Sequence, residues 1–324
     1  MATLRMNKLP CCAVFLLSAF VTVFFGCSAF QRARIPHLPE NVPGAYELEN
    51  VPFYPQSAYQ CGPATLAMVL TWNGLKVTPE ALKTQVYTPA RKGSLQIAMV
   101  GATRRHGKIA YEIKGPKSLF VELASGRPVI VLQNLGLSWL PVWHYAVVIG
   151  YDFSEETVLL HSGVTERKVM SYFTFDKTWA RGGYWGLLVL APTEIPVLAT
   201  ENKYLSAVLG LEKSRQFRAA VEGYQTALNR WPQSLTALMG LGNSLYKLGD
   251  MPSAENAFRD AADAHPRAGA AYNNLAQVLM EQGRNLEALE AAQKAVSLGG
   301  PMRKEYESTL QEIQLNQQKD RVGN

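Results

Sequence analysis

The sequence predicts an α+β domain over residues 46–192, followed by an all-α repeat domain over residues 200–324. Three observations carry this expectation. Composition changes at "APTEIPVLATEN" (191–202), where Gly, Pro and aromatic residues give way to Ala, Leu, Glu and Gln. Before that point, short segments of helical period precede β-branched apolar runs, the order of an α+β fold. After it, small and aromatic residues recur in columns about every 34 residues. A chain of 324 residues with 48% hydrophobic content has material for two cores.

Taken in order, residues 1–26 read as an export signal. Arg5 and Lys8 precede the uncharged run "PCCAVFLLSAFVTVFFG", which closes at Gly26–Cys27. A small residue directly before a cysteine, after an apolar run, resembles a bacterial lipoprotein processing site and implies lipidation of Cys27. An uncleaved anchor and ordinary secretion are the alternatives, and all three export the rest of the chain. The expected place is the outer membrane, facing the periplasm of a Gram-negative bacterium. The Pro-rich stretch 27–45 lacks periodicity and reads as a tether.

Within the first domain, helices are expected at 62–72, from Thr78-Pro79-Glu80 onward, and from Ser94 to Gly107. Thr78 offers a capping hydroxyl, with Pro79 and Glu80 suited to a first turn. A strand follows at 108–114, then a short helix at 118–126 and a buried strand at 127–135. "VWHYAVVIGYD" (142–152) and "TVLLHSG" (157–163) read as a hairpin. "RKVMSYF" reads as the next strand, "FDKTWARGG" as a short helix and "YWGLLVLA" as the closing strand.

The cysteines then narrow the chemistry. Of Cys11, Cys12, Cys27 and Cys61, cleavage removes two and lipidation occupies the third. Cys61 is left without an intramolecular partner in an oxidising compartment, which marks it as a thiol in use or a buried small side chain. It stands in "YQCGPATLAMVL", where Gly62 permits a tight backbone and Pro63 costs no hydrogen bond in a first turn. Helix-start N–H groups lower a thiol pKa, so the position suits an exposed, activated sulfur. Among five histidines, His144 lies in an apolar strand where a buried imidazole needs a partner. A helix-start Cys and a His on a following sheet can form a nucleophile and its base. Gln56 and Gln60 precede the cysteine, and Gln56 is the favoured side-chain donor to a developing oxyanion.

"VPFYPQSAYQCGPATLAMVL" together with "WHYAVVIGYD", about eighty residues later, resembles the double-glycine-leader, bacteriocin-processing cysteine peptidases of the papain-like clan. The resemblance spans residues 48–190. It implies that Cys61 is the nucleophile, His144 the base and Gln56 the oxyanion donor. The family usually carries an Asp on the strand after the His strand; this chain has "LLHSGV" there. If Tyr151 pairs with Thr157, Ala146 faces Ser162, and Ser162 shares a face with His144 while His161 points away. Ser162 is therefore the expected third member, with His161 and Asp152 as alternatives.

The repeats align over 202–233, 236–267 and 270–301. Their columns are Tyr204/Leu238/Tyr272, Ala220/Ala254/Ala288, Ala227/Ala261/Ala295 and Tyr224/Phe258/Ala292. Pro232 and Pro266 end the first two units, and Leu241-Gly242 and Gly249 mark the second. The pattern resembles tetratricopeptide repeats, closed by a solvating helix after Pro301. The resemblance implies a concave face carrying Asn202, Leu205, Glu212, Lys213, Met239, Asn243, Tyr246, Lys247, Asn273 and Gln277.

The expected activity is hydrolysis of a peptide or protein bond through a thioacyl intermediate, with the repeat groove docking a protein. The alternative is a peptidase-like binding protein that scaffolds an envelope assembly; transfer chemistry on the same thioacyl is a third reading. No cofactor or metal is expected, since no Cys, His or Asp positions show ligand spacing. A net charge of +6, scattered without basic–aromatic clustering, argues against nucleic acid.

Overall fold

A computed structural model describes residues 35–56 and 60–322, with side chains as far as residue 318. Cys27 and the apolar run before it lie outside the described residues. No helix among the described residues is long and apolar enough to cross a membrane.

Three helices come first: α1 (Cys61–Trp72), α2 (Pro79–Val86) and α3 (Gln96–Arg105). Strand β1 (Ala45–Glu47) precedes them, and the two-residue pair β2 (Tyr87–Thr88) and β3 (Gly93–Ser94) sits between α2 and α3. The main sheet then assembles from β4 (Ile109–Lys114), β5 (Val129–Asn134), β6 (Trp143–Asp152), β7 (Thr157–Ser162), β8 (Thr165–Ser171) and β9 (Trp185–Leu190). Its order is β4-β9-β5-β6-β7-β8, with β1 added against β6, and each pairing is antiparallel. Helices α4 (Pro116–Ala124) and α5 (Tyr172–Arg181) fill the connections.

Helix α1 is apolar on every side, and Gly62 through Leu70 are all buried. Such a helix is stable only inside a core. It packs on β6, whose Ala146, Val147 and Val148 are fully buried. Each of the two valines contributes about 1.5–3 kcal/mol of transfer free energy. The far end of α1 is tied to the sheet by Asn73, whose Nδ2 donates to Val189 O at 3.0 Å.

Two local expectations are corrected. Ser94 does not open α3; it pairs with Tyr87 in the small β2–β3 sheet, and α3 begins at Gln96. The close seat of Ser94 against Gly62 holds it out of the helix. "RKVMSYF" is strand only as far as Ser171, whose hydroxyl accepts from Thr174 N and caps α5. A Ser that can bond the amide three residues on stops a strand and starts a helix.

The second half is three helix pairs and a terminal helix. They are α6 (Glu201–Lys213) with α7 (Phe217–Arg230), α8 (Leu235–Leu248) with α9 (Met251–Ala264), and α10 (Gly269–Glu281) with α11 (Asn285–Leu298), followed by α12 (Arg303–Val322). The alanine columns at 220/254/288 and 227/261/295 are fully buried. Small residues there allow close helix approach. A Cβ on Gly240 would lie 2.3 Å from the Tyr224 ring, and one on Gly242 would lie 2.5 Å from Phe258. Gly249 ends α8 with φ of 80°, a left-handed cap that suits glycine.

The two halves meet directly. Lys203 Nζ lies 4.8 Å from the Tyr111 ring centroid, and the Arg104 guanidinium lies over Gly210. The connecting stretch is pinned by Glu122, whose Oε1 accepts from Val197 N at 2.8 Å.

Candidate active site

The site forms where the start of α1 meets β6 and β7. Cys61 is the first residue of α1, after Gln60 at the cap. A Cβ on Gly62 would fall 2.2 Å from Ser94 Oγ, so only glycine lets β3 close over this helix start. Cys61, Gln56 and His144 all line one cleft of about 800 Å³.

The state of the thiol differs from the expectation. Burial pushes the Cys61 pKa up, and this outweighs the backbone N–H groups of Tyr145, Gly62 and Cys61 itself, which favour the thiolate. The helix start supplies donors, as expected, but the half-buried sulfur rests as a thiol. Burial also pushes His144 down to about 4, with the Lys168 cation adding to the effect. Both groups are therefore held in their neutral forms, a thiol and an imidazole lining one cleft.

His144 Nε2 and Ser162 Oγ lie 2.9 Å apart. With the hydroxyl accepting, the ring proton sits on Nε2 and Nδ1 keeps its lone pair. The two other candidates for this place are engaged elsewhere. His161 is buried, with Nε2 against Val51 O at 3.0 Å and Nδ1 accepting from Arg167 N. Asp152 is the half-buried last residue of β6 and accepts from Ser154 N and Glu155 N in the turn that follows.

Gln56 is fixed from the same strand end. Its backbone N–H donates to Gly163 O at 3.0 Å, one residue beyond Ser162. Its carboxamide nitrogen and oxygen are both buried without a hydrogen-bond partner among the described residues. Such a group costs about 1–3 kcal/mol when left unpaired, which marks it as a donor held ready for something else.

Two participants are not picked out from sequence. Tyr145 presents its backbone N–H to the sulfur, and its hydroxyl donates to Ser94 O at 3.2 Å. Ser94 Oγ, beside Gly62, is buried and has no hydrogen-bond partner among the described residues. A Tyr following His144 was a visible signal for the first; Ser94 had none, because the contact is long-range.

The Peptidase C39 like family matches residues 48–186, and tetratricopeptide repeat models match 205–255 and 240–302. The chain carries a peptidase C39-like domain followed by tetratricopeptide repeats. Solved structures similar to the C39-like domain include a chain described as a C39-like peptidase from Bacillus anthracis. It is 18% identical, with a TM-score of 0.39, and the match covers 45% of this chain and 97% of that one. On the repeat side, the Yersinia enterocolitica type III secretion translocator chaperone SycD is 18% identical with a TM-score of 0.34, over 36% of this chain and 85% of that one. The TPR2B domain of yeast Sti1 is 17% identical with a TM-score of 0.35, over 36% of this chain and 97% of that one. No curated protein matches the chain.

The repeats carry the groove expected of them, in two adjoining pockets of about 420 and 500 Å³. Nine of the ten anticipated side chains line it; the exception is Asn273, which is buried, and Asn274 takes its place. Asn274 Nδ2 donates to Asn243 Oδ1 at 3.0 Å, linking neighbouring repeats across the groove floor.

Proposed function

We propose that the C39-like domain is a cysteine peptidase and that the repeat groove docks a protein. The observation that carries the reading is the set Cys61, His144 and Gln56 on one cleft, with His144 bonded to Ser162. Attack proceeds from the neutral pair. His144 Nδ1 takes the thiol proton as Sγ bonds to the substrate carbonyl carbon. The oxyanion is received by Gln56 Nε2 and the Cys61 N–H. The imidazolium returns its proton to the leaving amine, and water then releases the acyl group from Sγ. Ser162 orients the ring but carries no charge, so the imidazolium gains less from it than from a carboxylate. We further propose that the chain is exported and anchored through Cys27.

The neutral Ser162 also favours a second reading, in which the cleft binds peptides without cleaving them. Turnover of a fluorogenic peptide pool, read beside alkylation of Cys61 by iodoacetamide, separates the two. The peptidase reading expects cleavage lost in Cys61→Ala and cut by at least about 100-fold in His144→Ala. It also expects alkylation of the folded chain to slow in His144→Ala, because the imidazole is the base that takes the thiol proton. No cleavage, with alkylation indifferent to His144, selects the binding reading.

A further inference from the structure

The cleft has two unlike walls that the catalytic chemistry does not use. Arg91 and Lys92 form the turn between β2 and β3, and both line the cleft. Lys92 has a φ of 47° and Arg91 closes a short 3-10 turn, so the turn presents two exposed cations in sequence. Among the described residues neither makes an ion pair, and none of the residues lining the cleft is Asp or Glu. Two neighbouring cations on the rim of a cleft that holds no acid attract a carboxylate.

The other wall is apolar. Pro141 and Val142, from the loop between β5 and β6, line the cleft together with Trp143 at the start of β6 and Leu95. Val142 and Trp143 are each 54% exposed and Leu95 46%. The wall is built, not loose. Asn134 Oδ1 accepts from both Gly136 N and Val142 N, and Leu135 N donates to Val142 O at 2.8 Å. A rigid apolar surface of this kind next to a nucleophile serves a side chain of the bound chain.

We propose that the cleft takes peptides in which an acidic side chain, seated on Arg91 and Lys92, lies near a large apolar side chain seated on Trp143 and Val142. The inference deepens the peptidase reading and rests on a peptide being the occupant. Lys168, whose cation is felt at His144, adds to the positive field. A peptide with a lysine in place of the acid meets unpaired cations and is rejected.

The test uses the full chain carrying Cys61→Ala and fluorescent pentapeptides that differ only at the acidic or the apolar position. Anisotropy should give about fivefold tighter binding for Glu-containing than for Lys-containing peptides at low salt, shrinking as salt rises. Arg91→Glu combined with Lys92→Glu should invert that preference, and circular dichroism should be unchanged because both sites are exposed. Trp143→Ala should weaken binding of peptides with Leu or Phe and spare those with Ser. Equal affinity for Glu and Lys peptides overturns the proposal, as does an unaltered preference in the reversal variant. If acidic peptides bind but wild-type chain cleaves none, the hydrolase reading falls and this one stands. If peptides are cleaved without charge preference, the reverse holds.

Discussion

At the residue scale the site is governed by what burial does to two titrating groups. Cys61 is pushed up and His144 is pushed down to about 4. For His144 the sign follows directly. Its ordinary value is near 6.5, so between pH 6.5 and 4 the unfolded chain binds a proton that the folded chain refuses. Stability from this group is present above pH 6.5 and is lost as pH falls toward 4. The full loss is on the order of 3 kcal/mol. His161 is also held low, chiefly by burial, and acts in the same direction. Chemical denaturation at pH 7 and pH 4.5 should therefore give a smaller acid loss for His144→Gln than for the wild type. Ser162→Asp should shrink the loss too, because a carboxylate on the ring favours its charged form. An acid loss unchanged in both variants would mean that His144 titrates normally.

At the element scale the site depends on the start of α1 fitting under β3. The Ser94 side chain occupies the space a Cβ on Gly62 would need, at 2.2 Å from Oγ and 2.5 Å from its Cβ. Gly62→Ala should displace β3 and Leu95 from the cleft, with a stability cost of about 1–3 kcal/mol from overpacking. Adding Ser94→Gly should restore most of it, and a double-mutant cycle in urea should give a coupling above about 1 kcal/mol. Additive effects would sink the idea. The same scale decides what the sequence could tell. The helix bounded by Cys61, the strand bearing His144 and the alanine columns of the repeats follow from local period and spacing. The register of the His144 hairpin does not. The expected pairing of Tyr151 with Thr157 is off by one residue, since Tyr151 faces Val158 and Asp152 faces Thr157. A shift at Ile149 then restores the alignment, so that Val147 faces His161 and Ser162 still comes to His144. Gly150 was the visible hint, as a lone glycine in a strand often marks a bulge. It is needed because β1 runs close by, with Tyr46 O 2.8 Å from where its Cβ would be. That contact joins residues about a hundred positions apart, and no local pattern reports it. The resting charge state was equally hidden, because burial of a sulfur is a property of the assembled core.

At the scale of the whole molecule, the question is how the cleft and the repeat groove are held together. The connection runs through a buried acid. Glu122 on α4 is 1% exposed; its Oε2 accepts from Arg127 Nη1 at 2.9 Å and its Oε1 from Val197 N at 2.8 Å. Arg127 in turn reaches Ile195 O at 3.4 Å, and Arg230 on the first repeat donates to Pro196 O at 3.3 Å. One carboxylate thus fixes the connecting backbone against the sheet domain, while the repeat holds its other side. Burial raises the Glu122 pKa and the Arg127 cation opposes that rise. Removing Glu122 leaves Arg127 with only Glu194 as an acid partner among the described residues, 3.7 Å from its Nε, and takes away the acceptor of Val197 N. Glu122→Ala should cost about 3 kcal/mol and speed amide exchange at Val197 ahead of the sheet and helices on either side. Replacing both partners, with Glu122→Leu and Arg127→Met, should recover much of the stability, since apolar packing replaces a desolvated pair. It cannot recover the acceptor for Val197 N, so exchange there should stay fast. Stability and local protection should therefore separate in the double variant. If Val197 remains protected in both variants, Glu122 is not what anchors the connection, and the docking of the halves rests on Lys203 with Tyr111 and Arg104 with Gly210 instead.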